Sequence, residues 1–242
     1  MTASSRALHA ALFVAALAAL AGCAGTISQG SGPAADAPTY RVGDRWVYTA
    51  EDGFRQKTRW EETHEITAIG ADGITVRITQ KGDTTDVTRT EQWAAPGQVR
   101  VGAVYNNQTR RFTTPLQLHD FPLASGKVWN QHAQNFNEFT GKTGVINRYV
   151  RVRGWDKVTT PAGTFDAVSM QVIMHLDDDE FWRYGTDCNY LVWYAPAVRG
   201  MVREERNAQY LEKGGGGEGA GASTIRTQYG TLQLVSFTPG RS

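Results

Sequence analysis

Strict alternation of apolar and polar residues is the feature that most limits what this chain can fold into. In Ile74-Thr75-Val76-Arg77-Ile78-Thr79 every second residue is apolar. In "FDAVSMQVIMHL", residues 165–176, one row holds Val168, Met170, Val172, Met174 and Leu176. The other holds Ala167, Ser169, Gln171 and His175. Successive side chains of a strand point to opposite faces, so each segment predicts a strand with one face on a core and the other in water. Beyond the first 22 residues no stretch shows the three-and-four spacing of an amphipathic helix. Turn residues recur at short intervals, as Ala71-Asp72-Gly73, Ala95-Pro96-Gly97 and Pro161-Ala162-Gly163.

The last of these turns can be read closely. Pro161 presets the first central position of a type I turn, and Gly163 can take the left-handed conformation that closes a bulged hairpin. It predicts a hairpin of residues 145–159 with 164–176. Residues 177–180, Asp-Asp-Asp-Glu, cap the next reversal, and 181–195 return until Pro196 ends the pairing. Residues 201–213 and 223–237 form a last pair, split by a glycine tract at 214–222 that reads as a mobile loop. Two segments share a Gly-x-x-Trp start, Gly43 to Trp46 and Gly126 to Trp129. They suggest two successive meanders as the halves of one sandwich or barrel. The fold class predicted is all-β: an antiparallel meander of roughly ten to twelve strands, forming a sandwich or open barrel after an N-terminal signal helix. A membrane barrel needs an apolar outer face on every strand. Residues 57–64 instead carry Lys57, Arg59 and Glu61 on one face and Glu62 and His64 on the other.

The amino terminus is of another kind. Residues 10–21 are an uncharged apolar run, preceded by Arg6 and followed by Gly22 and Cys23. A bilayer crossing takes about 20 such residues, so the run suits the apolar heart of a signal peptide at 1–22. Leu20-Ala-Gly-Cys23 matches the bacterial lipobox, which makes Cys23 the expected site of lipidation. Two or three acyl chains there hold a protein stably on a bilayer, at about 0.8 kcal/mol per buried methylene. With Ala24, not Asp, after the cysteine, the resemblance favours the outer membrane, facing the periplasm. Residues 23–38 are small and polar and read as a flexible tether, leaving 39–238 as a single domain.

Removing residues 1–22 takes away Arg6 alone among charged residues, leaving 24 basic residues against 24 acidic. A neutral chain lacks the clustered positive charge that binds nucleic acid, so no nucleic-acid partner is expected. Cys188 is the only other cysteine. Once Cys23 is acylated no intramolecular disulfide can form, and Cys188 reads as a small buried side chain, with a reactive thiol or an intermolecular link as the alternatives.

"GDRWVY" at 43–48, "VTTPAGTFDAV" at 158–168 and "VWYAPAVRGMVREE" at 192–205 resemble, in that order, uncharacterised bacterial secreted lipoproteins of the TapB-like kind. The resemblance spans most of residues 40–211 and implies a β-rich exported domain with no assigned activity.

No motif carries recognisable chemistry. His64, His119, His132 and His175 form no metal spacing, and the carboxylates at 177–180 lack the EF-hand glycine, so no metal or cofactor is expected. Neighbouring carboxylates such as Glu61–Glu62 and Glu204–Glu205 fall on opposite faces of their strands. No catalytic residues are therefore expected. The unusual feature is aromatic density: Trp182, Tyr184, Tyr190, Trp193 and Tyr194 crowd one segment and are the candidates to face a ligand, unless they fill the core. The favoured reading is a non-enzymatic, lipid-anchored domain that binds an apolar small molecule or an envelope protein. An envelope assembly component that pairs through a sheet edge is the alternative, and a hydrolase built from distant loops comes third.

Overall fold

The structure, a computed structural model, describes residues 30, 32–214 and 222–241. The predicted signal peptide and Cys23 lie outside the described residues, as does most of the glycine tract. Twelve strands are described: β1 (Arg45–Asp52), β2 (Thr58–Gly70), β3 (Gly73–Gly82), β4 (Thr85–Ala95), β5 (Gln98–Ala103), β6 (Thr109–Gln117), β7 (Val128–Asn137), β8 (Lys142–Thr160), β9 (Gly163–Leu176), β10 (Asp187–Ala195), β11 (Gly200–Leu211) and β12 (Thr224–Thr238). Each pairs antiparallel with its neighbour in sequence, and β1 pairs with β12 from Arg45↔Thr238 to Asp52↔Gly230. The sheet is therefore a closed barrel, where alternation alone left a sandwich or an open barrel in play. Period-two patterning specifies which face is buried; it cannot specify whether the first and last strands meet.

The Pro161 turn forms as predicted. Thr160 pairs with Gly163, whose φ of 130° is open to glycine and strained for other residues. The two Gly-x-x-Trp starts open β1 and β7, six strands apart, with Gly43 at φ 87° and Gly126 at φ 83°. The barrel is thus two six-strand meanders, and their junctions differ. β12 and β1 share a full ladder, whereas β6 and β7 pair only over Arg110–Phe112 with Asn135–Asn137. Below those three pairs a side chain replaces the ladder. Gln131 Nε2 donates to Pro115 O at 3.0 Å, and its Oε1 accepts from Gln117 N at 2.7 Å.

The apolar rows point inward. One cluster gathers Val99, Leu116, Ile146, Val150, Met170 and Leu176; a second gathers Trp46, Ile66, Val76, Ile78, Leu232 and Leu234. Outside lie Arg59, Glu61, Arg77, Lys81, Arg151 and Lys157, all exposed, in place of the apolar band of a membrane barrel. Ala167 and Ser169, expected to meet water, are buried as well. Trp193 pairs with Ser169, and its indole donates to Asp156 Oδ2 at 3.0 Å; Asp156 in turn pairs with Ala167. The indole thus crosses the outer face of both small residues.

Two closures concern the ends of the chain. The described part of the predicted tether lies on the barrel. Ala35 is buried and exchanges backbone hydrogen bonds with Leu123 at 3.1 and 2.8 Å, and Trp155 N donates to Gly30 O at 3.1 Å. Small residues read as flexible by composition are here the ones that fit closely: a Cβ on Gly32 would collide with the Trp155 indole. At the seam, Asp44 is wholly buried and accepts from Arg41 N (2.9 Å), Arg199 Nε (3.2 Å) and Gly240 N (2.7 Å). One carboxylate therefore ties the chain's entry, its exit and the β10–β11 connection.

Candidate functional site

Between the two apolar clusters the interior holds a cavity of about 190 Å³. It exists because several inward positions are occupied by long polar side chains that pair with one another and do not fill the centre. On β2, Glu62 and His64 take the inward places, two residues apart on one face. His64 Nε2 lies 2.7 Å from Glu62 Oε1, while Gln80 Nε2 and Trp60 Nε1 donate to Glu62 Oε2 at 2.8 and 3.1 Å. On β4, Glu91 binds Arg89 at 3.2 Å and Trp93 Nε1 at 3.1 Å. On β11, Arg206 donates to Glu204 Oε2 at 2.9 Å from Nε and 2.6 Å from Nη2.

Burial would raise the pKa of Glu62. The hydrogen bond from His64 and the charges of His64, Arg206 and Arg89 more than offset it and hold the carboxyl well below the usual range. Each of these wall carboxylates is directly matched by a donor, as buried charge requires.

Arg148 on β8 is different. Its side chain is 6% exposed and lines the cavity. Nη1 donates to Gln117 O at 2.7 Å and Leu118 O at 3.3 Å, at the frayed β6–β7 junction. Among the described residues no carboxylate comes within 4.0 Å of it, whereas Arg89, Arg199 and Arg206 each have one. Burial lowers its pKa to about 10, against the opposing influence of Glu204 and Tyr190, so it stays charged at neutral pH. His119 also lines the cavity, its ring 5.6 Å from that of Phe121 and 5.8 Å from that of Tyr194. Its imidazole has no hydrogen-bond partner among the described residues. Burial, then the Arg148 charge, depress its pKa to about 3 and leave it neutral. The remaining wall near them is apolar: Val99, Leu118, Val172, Met174 and Val192.

The five aromatics proposed from sequence do not act together. Tyr190 and Tyr194 line the cavity, Tyr190 with its hydroxyl on Gln228 Oε1 at 2.8 Å. Trp193 faces outward, with the Arg203 guanidinium 5.4 Å over its ring. Trp182 and Tyr184 are exposed in the β9–β10 loop, around Arg183 and Lys213. Adjacent strand positions cannot share a face, which separates Trp193 from Tyr194 by necessity.

Cys188 is buried and its thiol is pushed up to about 12, chiefly by that burial. The acidic run at 177–180 is a structured loop: Asp178 accepts from Thr186 N at 2.7 Å and from Arg183 at 3.0 Å. Among the described residues no group of three or more His, Cys, Asp and Glu is placed to hold a metal. Arg148, His119, Glu62, His64, Glu204 and Arg206 were not singled out together by sequence reasoning. A polar residue at an inward position of an alternating strand, as Glu62 is among Trp60, His64 and Ile66, was the available signal.

No curated protein matches the sequence. Among solved structures, an exported protein with a YmcC-like fold from Bacteroides fragilis NCTC 9343 aligns at TM-score 0.52 and 12% identity, over 85% of this chain and 100% of its own. A protein described as a lipoprotein from Parabacteroides distasonis ATCC 8503 aligns at TM-score 0.49 and 12% identity, over 86% and 100%. The first shares the fold of the barrel. Residues 98–214, which run from β5 to β11 and include Arg148, His119, Tyr190 and Tyr194, match the DUF3108-like family, so the chain is similar to that family over just under half of its length.

Proposed function

We propose that the protein is a lipid-anchored, non-enzymatic component of the bacterial envelope whose barrel interior binds a small ligand. The interior cavity carries this reading, because a core serving stability alone would fill such a space at close-packed density. Its size limits the occupant. A cavity of roughly 150 Å³ takes a benzene molecule, so about 190 Å³ suits some eight to ten non-hydrogen atoms and no full-length acyl chain. A lipid-carrier role of the kind a larger barrel could support is therefore disfavoured. Pairing through a sheet edge has little to use, since the barrel is closed and its ladders thin to three pairs only at the β4–β5 and β6–β7 junctions among the described residues. Hydrolysis through a covalent intermediate is disfavoured because, beside the Glu62–His64 pair, no Ser, Thr or Cys among the described residues lines the cavity.

The lipobox at Leu20–Cys23 supports anchoring, and the description of the neighbour at TM-score 0.52 as an exported protein agrees with an envelope location. The outer membrane, facing the periplasm, is the expected site. Native mass spectrometry of protein purified from membranes tests the cavity reading: a bound species of under about 200 Da is expected, in line with the volume. Either a ligand-free mass or bound whole lipids in place of such a species would overturn it. Fractionating Cys23→Ser tests the anchor, and unchanged membrane retention and maturation would refute it.

A further inference from the structure

We propose that Arg148 is the anion-binding residue of the cavity, and that its ligand is a small monocarboxylate with an apolar body. The inference rests on the reading of the cavity as a ligand site and adds the chemical class. Four arginines line the space, and three have a carboxylate of this chain in contact: Arg89 with Glu91, Arg199 with Asp44, and Arg206 with Glu204. Arg148 has only the carbonyls of Gln117 and Leu118, both engaged from Nη1. A guanidinium offers five N–H donors in a planar fork. Among the described residues Nε and Nη2 have no hydrogen-bond partner, yet they are not sealed off, in contrast to Nε and Nη2 of Arg110. Arg110 is buried too, but it does not line the cavity.

The surroundings narrow the anion. Neutral His119 cannot serve as a counter-ion, but its imidazole can hydrogen-bond an anion, as can the Tyr194 hydroxyl, which also has no hydrogen-bond partner among the described residues. A single carboxylate cancels a single guanidinium in the bidentate geometry that suits both groups. A phosphate dianion would leave excess negative charge in a space already holding Glu62, Glu91 and Glu204. The apolar wall of Val99, Leu118, Val172, Met174 and Val192 then receives the body of the ligand. Benzoate and hexanoate have the size that about 190 Å³ admits.

Calorimetric titration of the whole mature domain at neutral pH decides it, using benzoate, its uncharged isostere benzamide, and inorganic phosphate. Benzoate is expected to bind wild type about 10- to 100-fold more tightly than benzamide, the worth of a charge-assisted contact. In Arg148→Met the two should bind alike. In Arg148→Lys, which keeps the charge and loses the fork, an intermediate preference is expected. Should Arg148→Met fail to fold, the benzoate-to-benzamide ratio in wild type and Arg148→Lys carries the test alone. Equal binding of benzoate and benzamide to wild type would overturn the anion site while leaving the cavity a ligand site. Tighter binding of phosphate than of benzoate would overturn the monocarboxylate. If no probe binds and nothing of this size co-purifies, the cavity reading falls, and this inference with it.

Discussion

Replacing His119 with Phe should flatten the acid side of the stability profile. The imidazole lies against Phe121 and Tyr194 in the cavity wall, and burial followed by the Arg148 charge takes its pKa from 6.5 to about 3. In the unfolded chain the ring takes up a proton near its ordinary value; in the fold it stays neutral until the pH is far lower. Between those values the unfolded state binds more protons, so acid favours unfolding. The contribution is intact above about pH 6.5 and is lost progressively as the pH falls towards 3. Linkage over the interval from pH 7 to 4.5 gives about 2.5 kcal/mol lost by wild type through this group alone. Phe keeps a planar ring against Phe121 and Tyr194 and cannot titrate. Carboxylates such as Glu62 also weaken the fold in acid, but they are common to both proteins and cancel in the difference. Urea unfolding at several pH values gives the free energy for each. The wild-type curve should fall more steeply than the His119→Phe curve by that amount. Parallel curves would show that His119 is hydrated or protonated in the fold and would refute the account of the cavity wall.

Asp44→Asn leaves Arg199 without its buried carboxylate and should cost about 3–5 kcal/mol, read as a drop in the urea midpoint with unchanged slope. Trp46 is 3% exposed, donates to Val198 O at 2.7 Å and stacks on Phe237 at 5.4 Å. Trp46→Ala should therefore cost about 3–5 kcal/mol by the same measurement. Gly163→Val meets open space and only strains a φ of 130°, for about 1–3 kcal/mol. Gly73→Ala adds a collision with the Trp93 carbonyl and should be the more damaging of the two, so comparing their melting temperatures checks the order. Gln131→Leu strips Pro115 O and Gln117 N of their partner and should cost about 2–4 kcal/mol. Its hydrogen exchange should rise first in β6 and β7, not uniformly.

The strands were legible where one face is apolar and the other polar, as in 74–79 and 168–176, and so was the hairpin at Pro161. The two Gly-x-x-Trp starts proved to be the openings of β1 and β7, two positive-φ glycines each leading into a strand whose Trp anchors to a distant backbone carbonyl. Three things were not legible. Closure depends on β1 meeting β12 across nearly the whole chain, which no local pattern encodes. Residues 23–38 read from composition as a flexible tether, yet in their described part small residues fit where larger ones collide, and Gly32 under Trp155 shows this. The site was hidden for a third reason. Glu62 and Arg206 reach the same interior from strands more than a hundred residues apart, and alternation marks such polar residues as inward only after the face of each strand is known. The aromatic residues are dense in sequence, but a strand sends neighbours to opposite faces and so divides Trp193 from Tyr194.

The frayed junction and the unpaired arginine have one origin. Along most of the barrel, backbone groups satisfy one another and inward side chains are free to pack. Where β6 leaves β7, the carbonyls of Pro115, Gln117 and Leu118 lose their ladder partners and need donors from elsewhere. Gln131 takes the first, the Trp129 indole and Arg148 share the second, and Arg148 reaches the third. Two neutral carbonyls can orient a guanidinium but cannot neutralise it. A carboxylate at this point would have made an ordinary buried ion pair and filled the space, as Glu204 does for Arg206. The chain instead holds a fixed, ionised donor at the edge of an apolar cavity and leaves the matching negative charge to be supplied from outside.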